Sequence, residues 1–155
     1  MTLTIGDTAP DFKLPRSGGD EISLSAFRGQ NVVLYFYPKD DTPGCTTEAK
    51  DFTAMAQDFE AANTVVIGLS KDTAAKHDKF IAKHTLSVLL ASDEEGTAIE
   101  AYGVWVEKNM YGRKYMGIER ATYLIDTEGK IAEIWRKVRV KAHAAAVLSK
   151  TKQLG

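Results

Sequence analysis

Charge of one sign, cysteine and long apolar runs are all scarce in this sequence, and each shortage removes a class of function. Acids and bases nearly cancel, 21 against 20, leaving a formal net charge of −1. A surface so mixed sets up no long-range field for nucleic acid or an anionic membrane, and neither is expected as a partner. No apolar run reaches the ~18 residues that a membrane span needs. Met1 to Pro10 holds no basic cluster followed by an apolar stretch and a small-residue cleavage site. No secretory signal is therefore read, and the cytoplasm is the expected location. The sequence contains one cysteine, Cys45. That excludes an intramolecular disulfide and, in a reducing compartment, leaves a thiol that stays free unless chemistry oxidises it.

Metal-ligating patterns are equally thin. His77 and His84 are spaced to share one helical face, but two ligands without a third His or a nearby Cys make a poor zinc site, and both read as surface residues. Asp40 and Asp41 read as solvated turn carboxylates. No metal and no cofactor are expected. The basic stretch Arg136 to Lys141 alternates like the charged face of a strand end, which assigns it to the surface rather than to nucleic acid.

What is present describes one α/β domain over residues 1–155, with 44% hydrophobic and 26% charged residues. Ile5 to Leu14, Ser17 to Asp20 and the alternating Glu21 to Leu24 predict a short N-terminal hairpin. The run Val32 to Tyr37 is continuous, β-branched and aromatic, as in a central strand buried on both faces. Pro38 ends it, a polar loop from Lys39 to Gly44 follows, and Ala49, Phe52, Ala56 and Phe59 space a helix over Cys45 to Ala61. A strand at Thr64 to Ser70 then implies a right-handed parallel crossover. The predicted order continues with a helix over Asp72 to His84, capped by Asp72 or Thr73, a strand at Ser87 to Leu90 and a helical piece from Asp93 to Tyr102. Val104 to Gly117 lacks periodicity and is expected to be irregular. Its Trp105, Tyr111, Tyr115 and Met116 form either a contact patch or core beneath a loop. Arg120 to Asp126 and Lys130 to Arg136 flank a turn and predict an antiparallel hairpin, and Lys141 to Gln153 a closing helix.

Cys45 is the one residue whose context singles it out. At the first turn of a helix a thiol meets unpaired N–H groups and the positive end of the macrodipole, which favour the nucleophilic thiolate. Two prolines and Gly44 shape the loop before it, and the Thr42 hydroxyl is placed to bond both sulfur and a substrate oxygen, or else to serve as an ordinary cap. A dithiol mechanism fails because positions 42 and 48 are Thr and Glu. A cysteine phosphatase fails because position 51 is Asp where Arg is required. A cysteine hydrolase would need His77, His84 or His143 beside the thiol, a placement the sequence leaves open.

The pattern Pro38-x-x-x-Thr42-x-x-Cys45 after a buried strand resembles the active-site motif of the peroxiredoxins. Tyr35-Phe-Tyr-Pro-Lys39 with Thr42-Pro-Gly-Cys-Thr-Thr-Glu-Ala49 is most similar to the bacterioferritin-comigratory, or PrxQ, subfamily. Gly6-x-x-Ala-Pro-Asp-Phe12, Phe27-Arg-Gly29, Gly117-Ile-Glu-Arg120 and Thr122-Tyr-Leu-Ile-Asp126 extend the likeness over nearly the whole chain. The resemblance implies a thioredoxin-like fold, with a central mixed β-sheet flanked by helices and an added N-terminal hairpin. It also implies roles: Cys45 as peroxidatic nucleophile, Thr42 to orient the peroxide, Pro38 as a shield, Arg120 as the cation beside the thiolate, and Glu48 to orient that Arg.

One departure from the family pattern matters. Many relatives carry a resolving cysteine five residues after the nucleophile or on the later helix. Here position 50 is Lys, and Asp72 to His84 contains no cysteine. The expectation is a 1-Cys peroxidase of hydrogen peroxide and organic hydroperoxides, whose sulfenic acid is resolved by an external thiol such as thioredoxin, glutaredoxin or glutathione. A monomer is favoured over a homodimer. The competing expectation is a thiol-based redox sensor or interaction protein of the same fold with little turnover.

Overall fold

The computed structural model describes residues 2–154. Its centre is the strand β3, Asn31–Phe36, in which all six residues are buried. Such a strand needs partners on both edges and cover on both faces. The partners are β4, Thr64–Ser70, which runs parallel with Val33 opposite Val66, and β8, Ala121–Ile125, which runs antiparallel with Phe36 opposite Ala121. Outside these lie β5, Leu89–Ser92, parallel to β4, and β9, Ile131–Trp135, antiparallel to β8. The five-stranded sheet therefore has the order β5-β4-β3-β8-β9 and is mixed. The N-terminal hairpin is formed by β1, Lys13–Pro15, and β2, Glu21–Ser23, as a separate two-stranded sheet.

Side-chain alternation along β3 divides the interior into two layers. Leu34 and Phe36 join Phe12, Leu24, Ile67, Tyr102 and Tyr123 on one face. Val33 and Tyr35, with Tyr37 just beyond the strand, join Cys45, Phe52, Phe59, Phe80, Leu90 and Val147 on the other. The thiol thus belongs to the second layer. That layer is covered by the helices α1, Pro43–Ala54, α2, Ala56–Ala61, α3, Ala74–His84, and α5, His143–Gln153. Tyr35 stacks on Phe52 at a centroid distance of 4.8 Å, and burying each such ring contributes about 2 to 3 kcal/mol. Gly68 on β4 makes room for it: a Cβ there would stand 2.7 Å from Tyr35 Cζ and 2.8 Å from Leu90 Cδ2.

Several boundaries differ from those read in the sequence. The first helix begins at Pro43, because Pro suits the opening helical position and Thr42 supplies the extended residue before it. It breaks at Met55 into α1 and α2. The third helix is capped by Thr73, whose hydroxyl accepts from the Lys76 N–H at 3.1 Å. The following strand starts two residues late, at Leu89. The helical piece shrinks to α4, Thr97–Ala101, since Gly96 is left-handed and Asp93 stays outside, accepting the Ile99 N–H at 2.9 Å.

The largest correction concerns 104–117. It is a regular hairpin of β6, Trp105–Met110, and β7, Arg113–Ile118, joined by Tyr111 and Gly112, both at positive φ. Two positive-φ residues make the turn that matches strand twist. Neither strand has a buried face along most of its length, so no period-two pattern marks the strands in the sequence. Tyr111 at φ 53° is also an unusual residue for such a turn.

Candidate active site

Thr42 is the N-cap of α1, with Pro43, Gly44 and Cys45 filling the first turn. The Thr46 N–H bonds Thr42 O at 2.8 Å. Pro43 has no N–H, so Gly44 and Cys45 contribute the first-turn donors that lack a carbonyl one turn earlier. Cys45 is 2% exposed, at the base of the loop that leaves β3 after Phe36.

Arg120 reaches this point because β8 pairs antiparallel with β3. Phe36 faces Ala121, so the residue before β8 lies beside the start of the loop. Its carbonyl is held by the Val138 N–H at 3.0 Å. Its guanidinium forks: Nη2 donates to Cys45 Sγ at 3.4 Å and Nη1 to Glu48 Oε1 at 2.7 Å. Gly44 leaves the room for this, since a Cβ there would stand 3.2 Å from Nη2.

Glu48 follows Cys45 by one helical turn and is 1% exposed. Burial pushes its carboxyl up to about 7, against the opposing pull of Arg120, with the nearby Asp51 adding to the rise. Its Oε2 and the hydroxyl of Tyr35 have no hydrogen-bond partner among the described residues. Burial first, and then the negative groups Glu48, Cys45 and Asp40, hold the Tyr35 phenol well above its ordinary range.

The Thr42 hydroxyl donates to Lys39 O at 2.9 Å and makes no bond to sulfur among the described residues. With its proton used there, the hydroxyl has only acceptor lone pairs left, which differs from the dual bond expected from the sequence. Pro38 is half-buried and directly follows the buried Tyr37. The five residues singled out in the sequence are thus brought to one end of the sheet.

Two expectations are overturned close by. Asp40 is not a solvated turn residue and His77 is not on the surface: they are 8% and 0% exposed. His77 Nδ1 lies 2.7 Å from Asp40 Oδ2, and Nε2 lies 2.9 Å from Ala91 O. The signal was available, because His77 shares the buried face of α3 with Phe80. His84 bonds Asp41, and His143 bonds Thr122 Oγ1 at 2.8 Å. Burial, helped by Arg120, pushes the His143 imidazole down to about 4. No histidine bonds Cys45 among the described residues, so the base that a cysteine hydrolase needs is not at the thiol. Lys108 on β6 was not singled out in the sequence. Its stem lies over Gly117, where a Cβ would stand 3.3 Å from Cδ. Burial and the Arg120 charge push its ammonium down.

A forked Arg between a buried carboxylate and a buried thiol at a helix start gives the comparisons a specific geometry to meet. The AhpC/TSA family profile matches residues 5–134. Peroxiredoxin Bcp of Bacillus subtilis is 49% identical over 154 residues, covering 99% of this chain and 98% of that protein. Peroxiredoxin Bcp of Escherichia coli K12 is 39% identical, with 97% of each covered. Among solved structures, Xanthomonas campestris peroxiredoxin Q superposes with a TM-score of 0.90 at 44% identity, covering 97% of this chain and 96% of that one. A second, of the bacterioferritin comigratory protein from the same organism, described for its alkyl peroxide reduction activity, gives 0.90 at 43% identity, with 98% and 97% covered. With its thioredoxin-like sheet and its single cysteine, the chain belongs to the AhpC/TSA family, among the peroxiredoxins of the bacterioferritin-comigratory, or PrxQ, type.

Proposed function

We propose that this peroxiredoxin reduces hydrogen peroxide and organic hydroperoxides at Cys45 by a 1-Cys cycle, with Arg120, Thr42, Pro38 and Glu48 completing the site. The observation that carries the reading is the Arg120 fork, one nitrogen on Sγ and the other on Glu48. In the first step the Cys45 thiolate attacks one peroxide oxygen, an S–O bond forms and the O–O bond breaks. The departing alkoxide or hydroxide takes up a proton and leaves as alcohol or water. Charge moves from sulfur to the departing oxygen, so a guanidinium that stays charged and donates at two angles is suited to both ends of the step. Glu48 fixes the plane of that guanidinium. The Thr42 hydroxyl, its proton engaged by Lys39 O, accepts the peroxide O–H and so aligns the O–O axis. Pro38 limits water at the sulfur.

The resulting sulfenic acid has no second cysteine in this sequence to condense with. An external thiol forms a mixed disulfide with Cys45 and releases water. A second thiol then attacks that disulfide and regenerates Cys45. The reductant is assigned to the class of thioredoxin, glutaredoxin or glutathione, the working unit to one domain over 1–155 as a monomer, with a homodimer as the alternative, and the compartment to the cytoplasm. Among the described residues no helix is long and apolar enough to cross a membrane.

Stopped-flow oxidation of the reduced protein by hydrogen peroxide and by an organic hydroperoxide, for wild type and Cys45→Ser, tests this. Fast oxidation that vanishes in the variant, followed by sustained turnover with an added thiol, is expected. Oxidation no faster than that of a free thiol would contradict the proposal and leave only a sensing role.

A further inference from the structure

The loop that carries Pro38 and Thr42 to the thiol is polar and short, yet its middle residue is among the most firmly bonded in the chain. Asp40 Oδ1 accepts from the Tyr37 hydroxyl at 2.6 Å, Oδ2 faces His77 Nδ1 at 2.7 Å, and the Asp40 N–H donates to Asp72 Oδ2 at 2.8 Å. Asp72 is itself tied to the end of β4 by the Ser70 hydroxyl at 2.8 Å. On its far side His77 meets the carbonyl of Ala91 on β5 at 2.9 Å. A carbonyl only accepts, so Nε2 carries a hydrogen and a single proton lies between Nδ1 and the Asp40 carboxylate. The end of β4 through Asp72, α3 through His77 and, behind His77, β5 therefore converge on one residue two positions before Thr42.

This cluster makes none of the contacts that the peroxide chemistry uses. Desolvating a carboxylate and an imidazole costs several kcal/mol, and an apolar pair of similar volume would fill the space without that cost. Packing alone does not account for it, whereas direction does. Asp41, the next residue, sits at φ 59°, a left-handed conformation that costs a non-glycine residue roughly 1 kcal/mol. The Thr42 hydroxyl then turns back onto Lys39 O. Asp41 is also tied to α3, by Lys83 at 2.7 Å and His84 at 2.9 Å, but those contacts lie at the surface, and Asp40 is the buried point from which the chain turns toward Thr42.

We infer that His77, acting through Asp40, is a positioning residue for the peroxide site: the Tyr37–Asp40–His77 cluster fixes the loop that aims the Thr42 hydroxyl at the oxygen attacked by Cys45. The inference rests on the roles assigned above to Cys45 and Thr42.

The test compares two reactions of the same sulfur: oxidation by hydrogen peroxide, which needs Thr42, and alkylation by iodoacetamide, which needs only a reactive thiolate. In His77→Phe and Asp40→Ala the peroxide rate falls roughly tenfold or more while alkylation stays within about twofold of wild type. Asp40→Asn returns the peroxide rate to within about threefold of wild type, because the amide oxygen still accepts from Tyr37 and the amide nitrogen donates to a neutral Nδ1. Should the first two variants fail to fold, Tyr37→Phe and Asp40→Asn decide, with Tyr37→Phe slowed toward peroxide alone and Asp40→Asn nearly normal. A wild-type peroxide rate in a folded His77→Phe, an Asp40→Asn as impaired as Asp40→Ala, or peroxide and alkylation rates falling in step would each overturn the inference. A wild-type protein that reacts with peroxide no faster than a free thiol would instead overturn the peroxidase reading beneath it.

Discussion

Around Cys45 the large side chains are buried and most polar atoms have a partner, whereas on the β6–β7 hairpin Tyr111 is 99% exposed and Met110 and Met116 are half exposed or more. What separates the two regions is the number of distant segments that converge. The site draws on the end of β3, the start of α1, the start of β8 and, through Asp40, on β4, α3 and β5. The hairpin draws chiefly on itself, one strand against the other. Where many segments converge, a single added methyl group has no room, and where one hairpin stands alone a large side chain can be lost with little consequence.

That contrast is broken most severely at Gly68. A side chain there collides with the Tyr35 ring, and Gly68→Val is expected to lower unfolding stability by about 3 kcal/mol, read from the urea midpoint. An unchanged midpoint would mean that the second layer is looser than described.

Glu48 sharpens the contrast through pH. Its folded carboxyl titrates at about 7, above the ordinary 4.5, because of burial. The native state therefore holds the proton longer than the unfolded chain. Stability from this group is full below pH 4.5 and is lost as pH rises through 7, on the order of 3 kcal/mol in all. His143 works in the opposite sense. Its folded value of about 4 lies below 6.5, so its contribution is present above pH 6.5 and is lost as pH falls toward 4. The two oppose each other between pH 4.5 and 6.5. Glu48→Gln, which still accepts from Arg120, is expected to unmask a rise in stability across that interval and to remove the decline near pH 7. Urea titrations at pH 4.5, 6 and 8 check it, and identical profiles for variant and wild type would count against a buried, titrating Glu48.

A smaller effect is expected at Gly44. Its Cβ would press on Arg120 Nη2, so Gly44→Ala should slow peroxide oxidation roughly tenfold with little change in melting temperature. Equal losses in rate and stability would place the defect in the helix start rather than in the guanidinium. Smallest of all is Tyr111→Ser on the hairpin, expected within about 0.5 kcal/mol of wild type by thermal unfolding.

The same contrast decides what could be read in advance. Val32 to Tyr37 declared a buried central strand because every residue in it is apolar, and the strand-loop-helix order around Cys45 followed from Pro38, Gly44 and the apolar spacing after them. Thr42 stood out by its place three residues before Cys45, whereas Arg120 and Glu48 were reached through the family motif, and the structure brings Arg120 to the thiol by pairing β8 against β3, a long-range register that no local spacing encodes. The exposed hairpin was missed because neither face is buried enough to print an alternation, and its turn carries Tyr111 where Asn or Gly is usual. Asp40 and His77 were missed for a different reason. Polar residues were assigned to the surface by type, although His77 stands one turn before Phe80 on the buried face of α3. Composition indicates which residues prefer water, and only packing shows which of them are withheld from it.

The central claim is that the Arg120 fork makes Cys45 a peroxidatic thiol, and the most direct measurement is the second-order rate of Cys45 oxidation by hydrogen peroxide in wild type and Arg120→Gln. Removing a preorganised donor at the reacting atoms is expected to lower that rate roughly a hundredfold or more, with the folded sheet intact by circular dichroism. A folded Arg120→Gln protein that is oxidised within about threefold of the wild-type rate would contradict the account.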